Sequence, residues 1–426
     1  MTLSLSTTYA PDTVYAPLYP FGEHPEHNFQ NAAVGDDPLT LNPVFSDPVL
    51  TVAGPTVDVV SYSSPKGDDT RKRLRECFGT PYADPSQLRL IPSLTSRSKE
   101  QLDGHIVRHL RQLTHDKSLV VSQPFFDDSL RPRYQIRPGL SHWLNDKANL
   151  PILVPEEYLP ERFATYRNGE ECWQDKRTFP PCVVKITSSS SGDGTRIVRT
   201  AEELAEARLA FRSWDGAIIV DEYIDCGRNI GVQFAIPFDK NEPPRIIGCA
   251  RQIVDDDGKF FGNRIETDIS ASPQIERGFV DAILPRARAL GWHGIGGMDV
   301  IDTGKTFYCI DPNFRYTAAT PHLYHRLNGV VESQALTFIG LTPESLSALE
   351  VHGRMGDVRQ KLYVLSAHEG DGETMVIGAV LFEDEEHLAE NMESLRRLGV
   401  TSDSFNTPST QANGQHSTYP RLAKRV

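Results

Sequence analysis

The stretch between residues 306 and 315 restricts this chain more than any other. An apolar run, Thr306-Phe307-Tyr308-Cys309-Ile310, reads as a buried strand and breaks directly into Asp311-Pro312-Asn313-Phe314-Arg315. On an extended backbone alternate residues share a face, so Asp311, Asn313 and Arg315 offer a carboxylate, an amide and a guanidinium to one side. The first two are hard oxygen donors suited to Mg²⁺, and the third is a planar fork suited to a phosphate. A second carboxylate, Asp299, sits in Gly296-Gly297-Met298-Asp299-Val300-Ile301, which reads as the preceding strand. Two antiparallel strands ending in three oxygen ligands predict a metal–triphosphate site. A surface turn is the competing reading of Asp-Pro-Asn.

Two upstream segments bear on that choice. Pro181-Cys182-Val183-Val184-Lys185-Ile186 leads through a small-residue loop, Ser188-Ser189-Ser190-Ser191-Gly192-Asp193-Gly194-Thr195, into Arg196-Ile197-Val198. Small residues let backbone N–H groups approach a phosphate, glycine supplies positive φ, and Lys185 is a point charge for a phosphate oxygen. The loop has no Walker A pattern. Further on, Ala217-Ile218-Ile219-Val220 runs into Asp221-Glu222-Tyr223-Ile224, and Asn229-Ile230-Gly231-Val232-Gln233-Phe234 resumes as a strand. A crossing of that kind offers backbone amides to an adenine edge and side-chain oxygens to a ribose. An ordinary strand with an acidic end is the plainer alternative.

In this order, over residues 140–325, the pieces resemble the ATP-grasp superfamily, and the sub-pattern is similar to pheganomycin-type peptide ligases. The resemblance implies an α/β (α+β) ATP-grasp fold: an N-terminal pre-ATP-grasp α/β domain, a small central lid and a C-terminal catalytic domain. Carried over position by position, Lys147 and Lys185 hold the α- and β-phosphates. Residues Ser189, Ser190, Ser191, Gly192, Gly194 and Thr195 cover the triphosphate. Asp221, Glu222, Tyr223 and Ile224 frame the adenine, with Asn229 at the ribose. Asp299, Asp311 and Asn313 bind Mg²⁺, with Mn²⁺ as an alternative ion. Arg315, with Arg251, faces the transferred phosphoryl group, and Thr317, Thr320 and His322 border the acceptor substrate. Three departures stand out. Asp311 replaces the frequent Glu, Arg228 and Asn229 stand where an acid often meets the ribose, and Gly297 stands where some carboxylate ligases carry arginine.

The implied activity is ATP-dependent carboxylate–amine ligation through an acyl-phosphate, in small-molecule or peptide natural-product biosynthesis. An ATP-grasp kinase and a non-catalytic nucleotide-binding protein are the alternatives. A glycosidase using Asp221 and Glu222 is excluded, because adjacent strand residues point to opposite faces. There is no G-x-S-x-G elbow to supply a nucleophile.

Composition narrows the partners. The 426 residues are 39% hydrophobic and 24% charged, with a net charge of −13, so the chain repels a nucleic-acid backbone. The basic run Arg71-Lys72-Arg73-Leu74-Arg75 fits a solvated helix face. No run of 18 apolar residues exists, and no secretory signal opens the chain, so membrane partners are not expected. Six cysteines without a CxxC pair exclude zinc-ribbon and thioredoxin readings and suit a reducing cytoplasm. The partners are then a small-molecule carboxylate and an amine, with a homodimer left open.

Five regions are expected: a Pro-rich extended arm over 1–55, the pre-ATP-grasp domain over 56–140, the lid over 141–228, the catalytic part over 229–400 and a flexible tail over 401–426. A strand is expected at 56–62 and another at 118–122. The amphipathic stripe Leu102, Ile106, Leu110, Leu113 predicts a helix over 99–113. Thr200 with Glu203 predicts a capped helix start before 201–211.

Overall fold

The computed structural model describes residues 3–17, 39–40, 43–64, 66–96, 98–122, 125–188, 194–225, 227–255, 258, 260–342, 362–369 and 374–405. Three principal sheets organise it. The first is parallel, with strands β1 (Thr13–Ala16), β2 (Val57–Tyr62), β3 (Leu88–Ile91) and β4 (Ser118–Val121) in the order β3-β2-β1-β4. Helix α1 (Gly67–Phe78) follows β2, and α2 (Lys99–Leu113) precedes β4, capped by the Ser98 hydroxyl on the Gln101 N–H. Leu102, Ile106 and Leu110 are buried along one stripe of α2, as their spacing predicts.

One expectation is overturned here. Residues 13–16 do not belong to an arm: all four are buried, and β1 lies between β2 and β4. The Pro-rich surroundings hide a strand whose length, four residues, is too short for alternation to show. Leu5, Val49 and Leu50 are likewise buried.

The second sheet is small and antiparallel, built from β5 (Arg162–Tyr166), β6 (Cys182–Ile186), β7 (Thr195–Val198) and β8 (Ile218–Glu222) in the order β5-β8-β6-β7. One face, with Tyr166, Cys182, Val184, Ile186, Ile218 and Val220, packs on Leu204 and Ala207 of α4 (Ala201–Ala210). Helix α4 starts where expected, with the Thr200 hydroxyl accepting from the Glu203 N–H. The Glu203 carboxylate receives the Arg199 N–H, one residue earlier than a capping box places it.

The third sheet has eight antiparallel strands: β9 (Arg228–Ile236), β10 (Arg245–Val254), β11 (Phe260–Ile265), β12 (Gly294–Asp302), β13 (Phe307–Asn313), β14 (Gln334–Thr342), β15 (Leu362–Glu369) and β16 (Thr374–Phe382). Their order is β13-β12-β9-β10-β11-β14-β16-β15. Its core is aromatic. Phe234 lies 5.5 Å from Phe314 and 6.1 Å from Trp292 between ring centroids, and Phe307 stacks on Tyr158 at 4.4 Å. Phe314 thus turns inward and anchors the Asp-Pro-Asn-Phe-Arg stretch from beneath. The first sheet docks on the far edge of the third. The Thr80 hydroxyl donates to the Val364 carbonyl at 2.6 Å, and the Tyr82 hydroxyl donates to that of Leu365 at 2.6 Å.

Of the cysteines, Cys77, Cys172, Cys182 and Cys309 are buried free thiols and Cys249 is a half-buried one. Among the described residues no helix is long and apolar enough to cross a membrane. The expected tail lies outside the described residues from 406 onward.

Candidate active site

The polar face of the small sheet meets the end of β12 and β13. Strand alternation puts Lys185, Ile219 and Asp221 on one face, with Thr195 opposite Lys185 in the register. The apolar residues between them fill the core on the other side. A bulge that leaves Phe163 of β5 outside the pairing sets Arg162 opposite Asp221, and its Nε donates to Asp221 Oδ1 at 2.9 Å. The Lys185 ammonium is 3.4 Å from Asp221 Oδ2 and 3.5 Å from the Ile310 carbonyl, so it links the small sheet to β13.

Across the cleft, Asp299 on β12 stands directly opposite Asp311 on β13, with Gly297 opposite Asn313. The register shift after Asp299 leaves Ile310 outside the pairing, and this aligns the two carboxylates. Burial and then the Asp311 charge raise the Asp299 pKa well above the ordinary carboxylate range. Gln252, Arg315 and Lys147 pull it the other way. The Lys147 ammonium is 3.1 Å from Asp311 Oδ1, and its side chain is buried. Lys147 opens a short 3₁₀ turn after α3 (Pro138–Leu144), and its N–H donates to the Thr187 carbonyl at 3.0 Å.

Arg315 stands beside this group. Asn145, just past the end of α3, accepts from the Phe314 N–H at 2.9 Å and from Arg315 Nη1 at 3.2 Å, which fixes the turn after Asn313. The structure therefore gathers Lys147, Lys185, Asp221, Asp299, Asp311, Asn313 and Arg315 around one cleft. Gly194 precedes Thr195 at φ +69°, where an added Cβ would meet the Ile186 side chain, so glycine is required there. Ser189, Ser190, Ser191 and Gly192 lie outside the described residues. Glu222, Tyr223 and Ile224 are half-buried at the end of β8 and beyond it. Asn229 shares the face of Gly231, the residue paired with Asp299.

Arg251 is not brought to this group. Ala250 pairs with Gly231 and Gly231 with Asp299, whereas Arg251 pairs with Ile230, one residue out of phase. Its side chain therefore projects from the opposite face, with Glu266 3.9 Å away. Alternation shows which residues share a face of one strand, but not how that face matches the neighbouring strands.

The acceptor-side residues have internal partners. The hydroxyls of Thr317 and Thr320 both donate to Gln233 Oε1 at 3.0 Å, and Thr320 is fully buried at the start of α5 (Thr320–Leu327). Gln233 occupies the space above Gly297, where an added Cβ would run into its amide. An arginine at 297 would displace that amide, which gives the departure a steric reason. His322 is buried near Tyr363, and burial depresses its pKa to about 3. Asn145, Arg162, Gln233 and Gln252 were not singled out from sequence. Only Asn145 carried a signal, as a polar residue closing a helix two positions before Lys147.

The donor set suits a hard divalent cation. Two facing carboxylates and an amide are all oxygen ligands, and the cost of holding both acids ionised is what a cation would relieve. Among the described residues no three His, Cys, Asp or Glu side chains gather into a metal cluster, so further ligands would have to come from phosphate or water.

A small antiparallel sheet with one lysine faces a large sheet with paired acids, and the chain carries an ATP-grasp fold. Within it, residues 162–313 match the family model described as L-aspartate–L-methionine ligase, ATP grasp. A D-alanine–D-alanine ligase of Pseudomonas fluorescens (strain Pf0-1) is 27% identical over 160 residues, which is 36% of this chain and 47% of that protein. The chain thus matches about half the length of that curated relative. Among solved structures, a biotin carboxylase–β-γ-ATP complex from Campylobacter jejuni superposes with TM-score 0.56 and 12% identity, covering 92% of both chains. An L-amino acid ligase from Bacillus licheniformis does so with TM-score 0.52 and 12% identity, over 92% of this chain and 98% of that one.

Proposed function

We propose that this protein is an ATP-dependent carboxylate–amine ligase that works through an acyl-phosphate. The observation that carries the reading is Asp299 opposite Asp311 with Lys147 3.1 Å and Arg315 close by, facing a lysine-bearing small sheet. Phosphoryl transfer needs positioning and neutralised charge more than covalent help. Lys147 and Lys185 would hold the α- and β-phosphates, with Gly194 and Thr195 at the start of β7 beneath them. The chain around Asp221 to Ile224 would take the adenine. Asp299, Asp311 and Asn313 would hold Mg²⁺, which when bound neutralises phosphate oxygens. Arg315 would direct its guanidinium at the γ-phosphoryl group.

In the first half-reaction a carboxylate oxygen attacks the γ-phosphorus, the bond to ADP breaks, and an acyl-phosphate forms. An amine lone pair then attacks the acyl carbon, the carbon–oxygen bond to phosphate breaks, and an amide and inorganic phosphate result, with the amine proton lost. The surroundings of Thr317, Thr320 and His322 border this second substrate. The first domain takes in β1 together with 56–140, the lid is 141–228 and the catalytic part 229–400, and the substrates are amino acids in a cytoplasmic small-molecule or peptide pathway.

The test is a panel of carboxylates and amines, starting with L-aspartate and L-methionine because of the family match. ADP release is followed, and products are weighed by mass spectrometry. With ATP and Mg²⁺ present and the amine absent, hydroxylamine should trap a hydroxamate of the carboxylate substrate. ATP turnover with neither hydroxamate nor amide would rule out the acyl-phosphate and leave phosphorylation of a hydroxyl as the leading reaction.

A further inference from the structure

We infer that Arg162 is a positioning residue whose task is to keep Lys185 available to a phosphate by taking up the charge of Asp221. Four observations carry this. First, all three guanidinium nitrogens of Arg162 are engaged: Nε with Asp221 Oδ1 at 2.9 Å, Nη1 with the Ala148 carbonyl at 3.3 Å and Nη2 with the Lys147 carbonyl at 3.3 Å. Second, Asp221 is almost fully buried, so its carboxylate must have a cationic partner inside the protein. Third, the contacts of Lys185 are long, 3.4 Å to Asp221 and 3.5 Å to the Ile310 carbonyl, so the lysine is aimed but loosely held. Fourth, the three side chains together keep one positive charge facing the cleft. Without the guanidinium, Asp221 and Lys185 would close into a neutral pair, and a nucleotide would have to break it.

The same guanidinium ties the carbonyl of Lys147 to the small sheet, so one side chain sets the spacing of both lysines. This inference rests on reading Lys185 as a phosphate-holding group, and the experiment separates the two. Binding of Mg²⁺–ADP and of adenosine is measured by calorimetry on the full chain, with circular dichroism and the melting temperature checked for each variant. Lys185→Met should weaken Mg²⁺–ADP and spare adenosine; if ADP binding is unchanged, the phosphate reading of the lysine fails, whatever Arg162 does.

Arg162→Gln should weaken Mg²⁺–ADP by about tenfold or more, with adenosine little changed. Adding Asp221→Asn to Arg162→Gln restores the lost positive charge and should recover most of the ADP affinity. A merely structural arginine would not be rescued by neutralising its partner. Arg162→Lys, which keeps a cation on Asp221 but loses the ties to the carbonyls of Lys147 and Ala148, should fall between the glutamine variant and the wild type and serves if the glutamine variant does not fold. Unchanged ADP binding in Arg162→Gln, failure of the Asp221→Asn rescue, or a loss in Arg162→Lys as large as in the glutamine variant would each overturn the proposal.

Discussion

A carboxylate buried opposite another carboxylate is held at a cost, and in this protein Lys147 relieves part of it by pairing with Asp311. On the proposed reading the ammonium occupies the metal's place until nucleotide arrives. Lys147→Met should therefore weaken Mg²⁺–ADP yet strengthen Mn²⁺ binding to the nucleotide-free protein, measured by electron paramagnetic resonance. Asp311→Asn should abolish ADP release while metal-free nucleotide binding survives. A pH dependence follows from the raised pKa of Asp299. The folded state binds a proton that the unfolded chain gives up near pH 4, so this group's contribution to stability is present at low pH and declines as pH rises through the folded pKa. The buried His322 and His325, both held neutral with depressed pKa values, act in the opposite sense. The difference between Asp299→Asn and wild type isolates the effect: the melting temperature of the variant should gain on the wild type as pH rises from about 4 towards neutrality. A constant difference would mean that Asp299 titrates normally.

At the scale of elements, the glycine at 297 and the glutamine at 233 make one unit across β12 and β9. Gly297→Ala should push the amide off the hydroxyls of Thr317 and Thr320 and destabilise by about 1–3 kcal/mol, read from urea melts. Trimming the obstacle as well, with Gln233→Ala, should return part of that loss. Elements with a long period or a clear cap were legible in the sequence: α2 matches its expected span, α4 begins after Thr200, and β13 carries the facing oxygens. The Asp299–Asp311 pairing was also legible, because both lie on strands joined by a short turn. What was not legible depended on partners distant in the chain. Strand β1 has four residues and no visible alternation. The phase of Arg251 depends on its alignment with Ile230 and Gly231 on the neighbouring strand. The service of Arg162 to Lys147 and Asp221 links positions 15 and 59 residues apart.

Across the whole molecule, the first sheet is locked to the third through buried polar contacts. The Ser366 hydroxyl donates to the Val44 carbonyl at 2.5 Å, and within the N-terminal part Asp47 accepts from the Ser61 hydroxyl at 2.5 Å and from Arg71 Nη1 at 3.0 Å, while burial raises its pKa. Glu369 at the end of β15 receives Lys66 at 3.1 Å, and His325 on α5 touches both the Thr51 carbonyl and the Tyr363 hydroxyl. Arg71→Met would strand the Asp47 charge and should cost about 3–5 kcal/mol in a denaturant melt, whereas changing Asp47 and Arg71 together to apolar residues should cost much less. The hydroxyls of Thr80 and Tyr82 have one more consequence, because they rest on carbonyls of the outermost strand of an eight-stranded sheet. That strand is a bare template for any other strand once its cover is gone. A fragment trimmed to the small and the eight-stranded sheets alone would therefore present the margin along which one molecule can stitch itself to the next, and the first sheet is what keeps these molecules apart.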